Sequence, residues 1–352
     1  MKLKKFFAGV LAAAMMLTVG ATAAFADGAA DSMIVADGNG VANATLTKKL
    51  VVAGGTAPQS MTFNFTVGAG QADATKSVKA GTVGESFEQP SVTFSKSGNE
   101  QFTVNTYSQN FNIDLVKLLG NNYNKVGKYA YTISEDDTKI PGITKDNRTL
   151  KMIVTVVNKT NDNLGPDTGY GYYVGLFNQD GTKADDFTNT YNAYNLTVKK
   201  VVKGNFADLN DTFTFNVTLS KDTNKEDNYA GATVTVTDSS NPANNASWAI
   251  DGTTRTITLK HNQTATISNL PVGVTYTVTE TQDEGWVYET DGEVKTTTAI
   301  NAEKNEVTII NDHQGTPDMG VVLDNAPYIA MLAVVAIGGV ALMLNKRRRD
   351  EE

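Results

Sequence analysis

The sequence predicts an all-β protein made of two tandem β-sandwich domains, and three observations lead to this prediction. Between residues 44 and 312 the chain is rich in Thr, Val, Asn and Gly, and short runs such as 61–67 and 212–219 carry an apolar residue at every second position. That alternation is typical of half-buried strands. Gly, Asn and Asp separate the runs, as turns between strands require. The set of strands also occurs twice in the same order, which indicates a repeated unit.

The internal repeat sets the domain boundaries. The recurring segments are 46–52 and 196–202, then 127–135 and 273–280, and finally 186–189 and 308–311. We therefore predict a first domain at 44–192 and a second at 193–312, with a joint of four or five residues between their strands. A Gly/Ala/Asp-rich flexible lead-in is expected at 27–43, and one short helix near 112–119, before Gly120.

Both ends of the chain carry segments typical of export. Residues 1–26 combine a basic start, an apolar run and Ala24-Phe25-Ala26, and this order predicts a secretory signal peptide. A membrane anchor is the alternative, although the apolar run is short for that. At the other end, the uncharged stretch 328–344 precedes the basic residues 346–349. The tail 313–352 is thus predicted to contain one transmembrane helix with a cytoplasmic end.

Composition excludes several classes of function. The chain has no cysteine and two histidines far apart in sequence, which excludes Cys/His zinc sites and Cys-His nucleophile pairs and argues against a Ser-His-Asp triad. The formal charge is −8, and removal of the three lysines of the signal peptide makes it −11. A chain this acidic is not expected to bind nucleic acid. Neither a cofactor nor a metal ion is expected.

Polar residues interrupt the apolar faces of the strands that open and close each domain. Lys48, rather than Lys49, shares its strand face with Leu46, Leu50 and Val52. The same alternation places five further polar residues on inward faces: Glu135, Asn189, Lys200, Glu280 and Asn311. Each domain therefore contains Lys, Glu and Asn in that order.

This arrangement predicts a reaction between side chains. In an apolar site a lysine loses its proton more easily and a carboxyl group keeps its proton more tightly. A neutral amine is a nucleophile, and a neutral Glu can hydrogen-bond and polarise the Asn side-chain carbonyl group, so attack would release ammonia and leave an amide. The alternative is a solvated lysine, a surface Glu and a turn-forming Asn. Two trios in the same order favour the reactive interpretation.

These residues resemble a known family. Residues 196–200, the segment 269–280 and the two terminal strands ending in Asn are similar to major backbone pilins of Gram-positive bacteria. Those pilins are built from immunoglobulin-like domains of the collagen-adhesin B type with self-formed isopeptide bonds. The resemblance implies that Lys48 bonds Asn189 with Glu135 assisting, and that Lys200 bonds Asn311 with Glu280 assisting.

The C-terminal tail resembles a sortase sorting signal. The family motif is L-P-x-T-G, and the corresponding residues are Thr316, Pro317, Asp318, Met319 and Gly320. Thr replaces Leu and Met replaces Thr, so the sortase that acts and the efficiency of cleavage after Met319 stay open. The alternative is a plain linker before a permanent membrane anchor.

The resemblance also implies an acceptor amine for polymerisation. In similar pilins it lies just before the last strand of the first domain, where this chain has Lys183, but the longer Tyr-Pro-Lys motif is absent. An ordinary loop lysine is the alternative. The implied partners are further copies of this chain, a pilus-type sortase, and minor tip and base pilins. The implied location is a wall-anchored pilus on the cell surface, with membrane contact only through the tail before sorting.

Two other functions are compatible with parts of the sequence. A monomeric wall- or membrane-anchored adhesin would share the domains and the tail but would need no acceptor lysine. A secreted hydrolase lacks plausible histidine chemistry, and the paired acids Asp136 and Asp137 are typical of a turn. The sequence therefore predicts a structural shaft subunit and not an enzyme.

Overall fold

The fold is seen in a computed structural model that describes residues 33–159, 169–225, 228–237, 245–281, 287–288, 298–303, 305–316, 331–337, 339–340 and 343. The described part of the chain is predominantly β-strand. The predicted signal peptide at 1–26 lies outside the described residues, as do residues 328–330, 338, 341–342 and 344 of the predicted membrane-spanning stretch.

The first part of the chain, up to residue 191, forms β1 to β11. Their bounds are Ile34–Val35, Asn43–Val52, Ser60–Ala69, Val78–Ala80, Ser91–Ser95, Asn105–Asp114, Gly127–Glu135, Ile143–Thr144, Thr149–Asn158, Tyr170–Phe177 and Asp186–Tyr191. The helix α1 spans Leu115–Leu119, and 3-10 turns occupy Ala74–Lys76 and Gly120–Asn122.

The second part forms β12 to β21. Their bounds are Ala193–Lys203, Phe213–Ser220, Ala232–Thr237, Ala246–Trp248, Thr254–Leu259, Thr264–Pro271, Thr275–Glu280, Val287–Tyr288, Thr298–Ala299 and Glu306–Asp312.

The strands form two pairs of sheets. In the first pair, one sheet has the order β1-β10-β9-β7-β3-β5, with β4 also pairing β7, and the other has the order β6-β2-β11-β8. In the second pair the orders are β15-β14-β17-β12-β21-β19 and β16-β13-β18-β20. Each pair encloses its own cluster of buried apolar side chains. Alternating residues of the facing sheets fill these clusters, as in sandwich folds.

In each pair a long strand near the start of the unit lies beside the last strand of the unit. β2 pairs β11 in parallel, and β12 pairs β21 in parallel. Aromatic side chains pack beneath the first of these pairs, where the rings of Phe65 and Phe111 stack with centroids 4.2 Å apart. Phe187 of β11 packs against Phe65 at 5.2 Å. Strands from the start and the end of each unit are therefore neighbours in one sheet and pack on the same core.

The helix is shorter than the sequence predicts. Residues 112–114 continue β6 and pair with 43–45 of β2, so the helix begins only at Leu115. Asp114 caps it by accepting hydrogen bonds from the backbone N–H groups of Val116 and Lys117. The hydrogen bonds that residues 112–114 form with β2 stabilise a strand there, although the spacing of apolar residues in the sequence favours a helix.

The joint between the two sheet pairs is also shorter than predicted. Only Asn192 separates β11 from β12, and both its backbone groups are paired: its N–H donates to Gly142 O, and its C=O accepts from the N–H of Val272. Gly55 packs so closely here that a Cβ would lie 2.6 Å from the Cβ of Ala193. The expected loop of four or five residues is wrong because hydrogen bonding continues across the joint.

Side chains tie the two sheet pairs together beside this joint. Asn269 accepts a hydrogen bond from the N–H of Thr56 at 2.6 Å and donates to Gly231 O at 3.1 Å. The amine of Lys225 donates to Thr138 O at 2.8 Å. The first and second units therefore meet through direct polar contacts.

At the C-terminal end, residues 331–337, 339–340 and 343 are helical and exposed. None of the helices within the described residues has the length and apolar character that a membrane crossing needs.

Candidate functional site

The three polar residues predicted inside the first unit meet at one point, here called the first site. Lys48 lies on β2, Asn189 on the neighbouring β11, and Glu135 on β7 of the facing sheet. The amine of Lys48 donates to Glu135 Oε2 at 2.5 Å, and Asn189 Nδ2 donates to Glu135 Oε1. All three residues are buried, so the carboxyl group joins the amine to the amide away from solvent.

The register of the parallel strands explains how the amine reaches the amide. Lys48 pairs with Phe187, and Asn189 pairs with Leu50. Lys48 and Asn189 are therefore two positions apart on adjacent strands, and both point to the inner face. A lysine side chain is long enough to cover that diagonal.

The second unit repeats this geometry in the second site, made of Lys200, Glu280 and Asn311. Lys200 pairs with Ile309 and Asn311 with Val202, which is the same offset as in the first site. The amine of Lys200 donates to Glu280 Oε2 at 2.7 Å, and Asn311 Nδ2 donates to Glu280 Oε1 at 2.6 Å. The repeat seen in the sequence is therefore a repeat of side-chain geometry.

Aromatic rings lie close to both amines. Lys48 Nζ lies 4.8 Å from the ring centroid of Phe63. Lys200 Nζ lies 4.1 Å from the centroid of Phe213 and 5.8 Å from that of Phe215. The faces of these rings attract a cation, but they provide no hydrogen bonds in place of those from water.

Burial shifts the pKa values of the first site towards the neutral pair. Desolvation lowers the pKa of Lys48 although the charge of Glu135 opposes this. Desolvation likewise raises the pKa of Glu135, against the charge of Lys48 and the hydrogen bonds from Lys48 and Asn189. In the second site, burial lowers the pKa of Lys200. Each shift makes it easier for a proton to pass from amine to carboxylate.

The carbonyl oxygen of Asn189 has a different partner from the one the sequence predicts. Glu135 contacts the amide nitrogen, while Oδ1 of Asn189 accepts a hydrogen bond from the backbone N–H of Asp146 at 2.8 Å. The expectation that Glu polarises the carbonyl by a direct hydrogen bond is therefore wrong for this arrangement. In the second site, Oδ1 of Asn311 accepts no hydrogen bond from any of the described residues.

The other predicted residues lie apart from the two sites. Lys183 is exposed in the turn between β10 and β11, where it forms an isolated bridge with Phe177. Of the predicted sorting motif, only Thr316 is described, and residues 317–320 lie outside the described residues. Just before it, Gly315 exchanges two hydrogen bonds with the side chain of Asn205, at 2.7 and 3.0 Å.

Asp146 and Arg148 were missed by the sequence analysis. They lie in a short connection between β8 and β9. Residues of a loop do not alternate between an inner and an outer face, so the sequence does not show which way these side chains point. No signal in the sequence distinguishes this loop from other polar loops of the chain. Among the described residues, no group of three His, Asp or Glu side chains could hold a metal ion.

Family models match the two units separately. A family model described as a Spy0128-like isopeptide containing domain matches residues 44–192. A second family model, described only as a domain of unknown function (DUF7601), matches residues 194–313. A pilin of Streptococcus pyogenes serotype M1 is 30% identical over 245 residues, which cover 64% of this chain and 69% of that protein.

Solved structures share the fold. The crystal structure of the major pilin from Streptococcus pyogenes has 22% sequence identity and a TM-score of 0.50, covering 78% of this chain and 99% of that one. A mutant of the same pilin gives 21% identity and a TM-score of 0.51 with the same coverage. The likeness extends over both sheet pairs.

The pKa shifts can be measured directly in a chain that lacks both asparagines, so that neither lysine can form an amide with them. In the double variant Asn189→Ala and Asn311→Ala, both amines stay free and buried. Two lysine side chains should then titrate below the ordinary value of 10.5, because burial disfavours the charged form. NMR of ¹³C-labelled lysine measures these titrations, and adding Lys200→Met assigns the two signals. If every lysine titrates at or above 10.5, burial does not activate these amines.

Proposed function

The chain belongs to the pilin family that includes the Streptococcus pyogenes pilin, and from this premise we propose that it is the shaft subunit of a covalently polymerised cell-surface pilus. The observation that carries the proposal is the pair of buried Lys–Glu–Asn sites with identical register. We assign one self-formed isopeptide bond to each site, within two immunoglobulin-like domains at 44–192 and 193–312. The chain acts as a structural protein and not as an enzyme with turnover.

The proposed reaction begins with a proton transfer. Lys48 passes a proton to Glu135 Oε2, with which it is hydrogen-bonded, and becomes a neutral nucleophile. Nζ then attacks Cγ of Asn189, and a new C–N bond forms. Oε1 of Glu135 lies against Nδ2, so this carboxyl group can protonate the departing nitrogen. Ammonia leaves, and the two side chains are joined by an amide.

Position supplies most of the acceleration. The nucleophile, the acid and the target are held together by a folded core, which gives a high effective concentration. One event per site in the lifetime of the molecule is sufficient, so a modest rate serves. The same argument applies to Lys200, Glu280 and Asn311 in the second site.

The bonds suit a fibre under tension. Each would join the first strand of a domain to its last and would close loops of 141 residues (189 − 48) and 111 residues (311 − 200). By analogy with disulfides, each bond would stabilise its domain by about 5 kcal/mol, because a closed loop of this length lowers the conformational entropy of the unfolded chain. Because the joined strands are neighbours in one sheet, a pulling force passes from strand to strand across the bond and the rest of the domain bears little of it.

Assembly is proposed to use the two ends of the subunit. A sortase would cleave between Met319 and Gly320 and hold the acyl group, and the amine of Lys183 in another subunit would accept it. Such a head-to-tail contact does not close on itself, so it propagates as a filament. Sortase, minor pilins and attachment to a Gram-positive wall are all parts of this proposal. Residues 1–26 would direct export, and residues 328–344 would hold the chain in the membrane before sorting.

Intact mass tests the internal bonds. A 27–312 fragment should weigh less than its sequence mass by two ammonias, because each amide forms with loss of one. Glu135→Ala should restore one ammonia and Glu280→Ala the other, and each variant domain should lose roughly 5 kcal/mol of stability and digest faster with protease. Glu100→Ala is the matched control, since that side chain is 71% exposed, and it should keep both losses. A wild-type fragment at full sequence mass would show that neither bond forms.

Polymerisation is tested by substituting the proposed acceptor. Lys183→Ala should abolish the high-mass ladder on an immunoblot of wall extracts, because the acceptor amine is gone, while both internal bonds still form. Lys125→Ala replaces another exposed lysine and should leave the ladder unchanged. A ladder that survives in Lys183→Ala would show that another lysine is the acceptor. A wild type with no ladder would favour the monomeric anchored adhesin.

A further inference from the structure

The carbonyl oxygen of Asn189 is held by a donor from outside the trio. Beyond β8, residues 145–148 run beside β11, and the backbone N–H of Asp146 lies 2.8 Å from Asn189 Oδ1. When an amine attacks an amide carbon, the carbonyl oxygen takes up negative charge. A donor at 2.7 to 3.1 Å, fixed before the reaction, stabilises that charge most effectively.

The side chain of Asp146 clasps the loop to β11. Its carboxylate accepts from the N–H of Thr188 at 2.8 Å and from the guanidinium of Arg148 at 2.7 Å. Arg148 in turn donates to Asp186 O at 2.8 Å. Burial by itself would raise the pKa of Asp146, but the hydrogen bonds from Arg148 and Thr188 outweigh it and keep the group ionised. The loop is thus fastened at two points on the strand that carries Asn189.

This clasp also fixes the orientation of the Asn189 amide. Nδ2 faces the carboxyl group of Glu135, and Oδ1 faces the N–H of Asp146. A flip would place the amide NH₂ against the N–H and the amide oxygen against a carboxylate, which loses both hydrogen bonds. The leaving nitrogen therefore faces the carboxyl group that would protonate it, and the developing oxyanion faces the N–H group that would stabilise it.

We propose that the backbone N–H of Asp146 is the oxyanion donor for amide formation in the first site, and that the Asp146 carboxylate and Arg148 are positioning groups that hold it there. The proposal rests on the proposed isopeptide bond. Nζ of neutral Lys48 bonds to Cγ, and the carbonyl electron pair moves onto Oδ1, where the N–H of Asp146 stabilises it. The amine proton passes to Glu135, and Glu135 protonates Nδ2. The carbonyl re-forms as the C–Nδ2 bond breaks and ammonia departs.

The test removes the N–H alone. Incorporating the α-hydroxy analogue of aspartate at position 146 replaces the amide by an ester and keeps the carboxylate, while Asp146→Ala keeps the N–H and removes the carboxylate. Asp146→Pro removes both the N–H and the carboxylate, and it replaces the ester variant if the ester cannot be made. In pulse-labelled full-length chain, peptide mapping follows the fraction of Asn189 joined to Lys48 with time. The Lys200–Asn311 peptide of the same molecules is the internal control.

The ester and Asp146→Pro should slow joining at Asn189 about 10²- to 10³-fold, the usual loss of one oxyanion donor, and leave the rate at Asn311 unchanged. Asp146→Ala should slow it less, because the donor remains but is held loosely. Each change is also placed in the Glu135→Ala chain, where no bond forms, and there the ester should lower the melting temperature only slightly, by the loss of one hydrogen bond.

Two results would overturn the proposal. One is joining at Asn189 at the wild-type rate in both the ester and Asp146→Pro. The other is slowing matched by an equal loss of fold stability in the Glu135→Ala background, since the contact would then be structural only. Wild-type chain with no joined peptide at either site would instead refute the isopeptide bonds themselves, so the two failures are distinguishable.

Discussion

The structure depends on burying one amine in each sandwich. Lys48 and Lys200 are fully buried among apolar and aromatic side chains, and a charged amine there is costly unless it is paired. Within the part of the chain that the structure describes, each amine is ion-paired with one carboxyl group, and removing that partner would leave an uncompensated charge in the core. Desolvation lowers the pKa of both lysines, so the same burial that costs stability prepares a nucleophile. The proposed amide formation would remove this charge permanently.

The order of the strands determines how a bond at each site would affect the resistance of the domain to a pulling force. Because β2 pairs β11 in parallel and β12 pairs β21 in parallel, a lysine on one strand and an asparagine on the other meet at a fixed diagonal. The facing sheet contributes the glutamate. A bond at this place links the two points where the chain enters and leaves the sandwich. At the joint a single residue separates the two units, so force passes between them with little free chain.

Alternation along single strands was sufficient to predict most of both sites. It placed Lys48 inside and left Lys49 partly exposed, because side chains on a strand point to opposite faces. The internal repeat then duplicated the assignment. Loop geometry has no such period, so the donor N–H of Asp146, the orientation of the Asn189 amide and the one-residue joint at Asn192 came only from the structure. The start of α1 was missed because pairing with β2 overrides local helical preference.

A high-resolution crystal structure of the wild-type chain tests most directly whether these buried side chains are joined. If they are, electron density should be continuous from Lys48 Nζ to Asn189 Cγ and from Lys200 Nζ to Asn311 Cγ. Each contact should refine to an amide C–N length of about 1.33 Å, with no separate amide nitrogen on either asparagine. Intact Asn side chains, separated from the amines by roughly the 2.9 Å of a hydrogen bond or more, would contradict the proposed bonds.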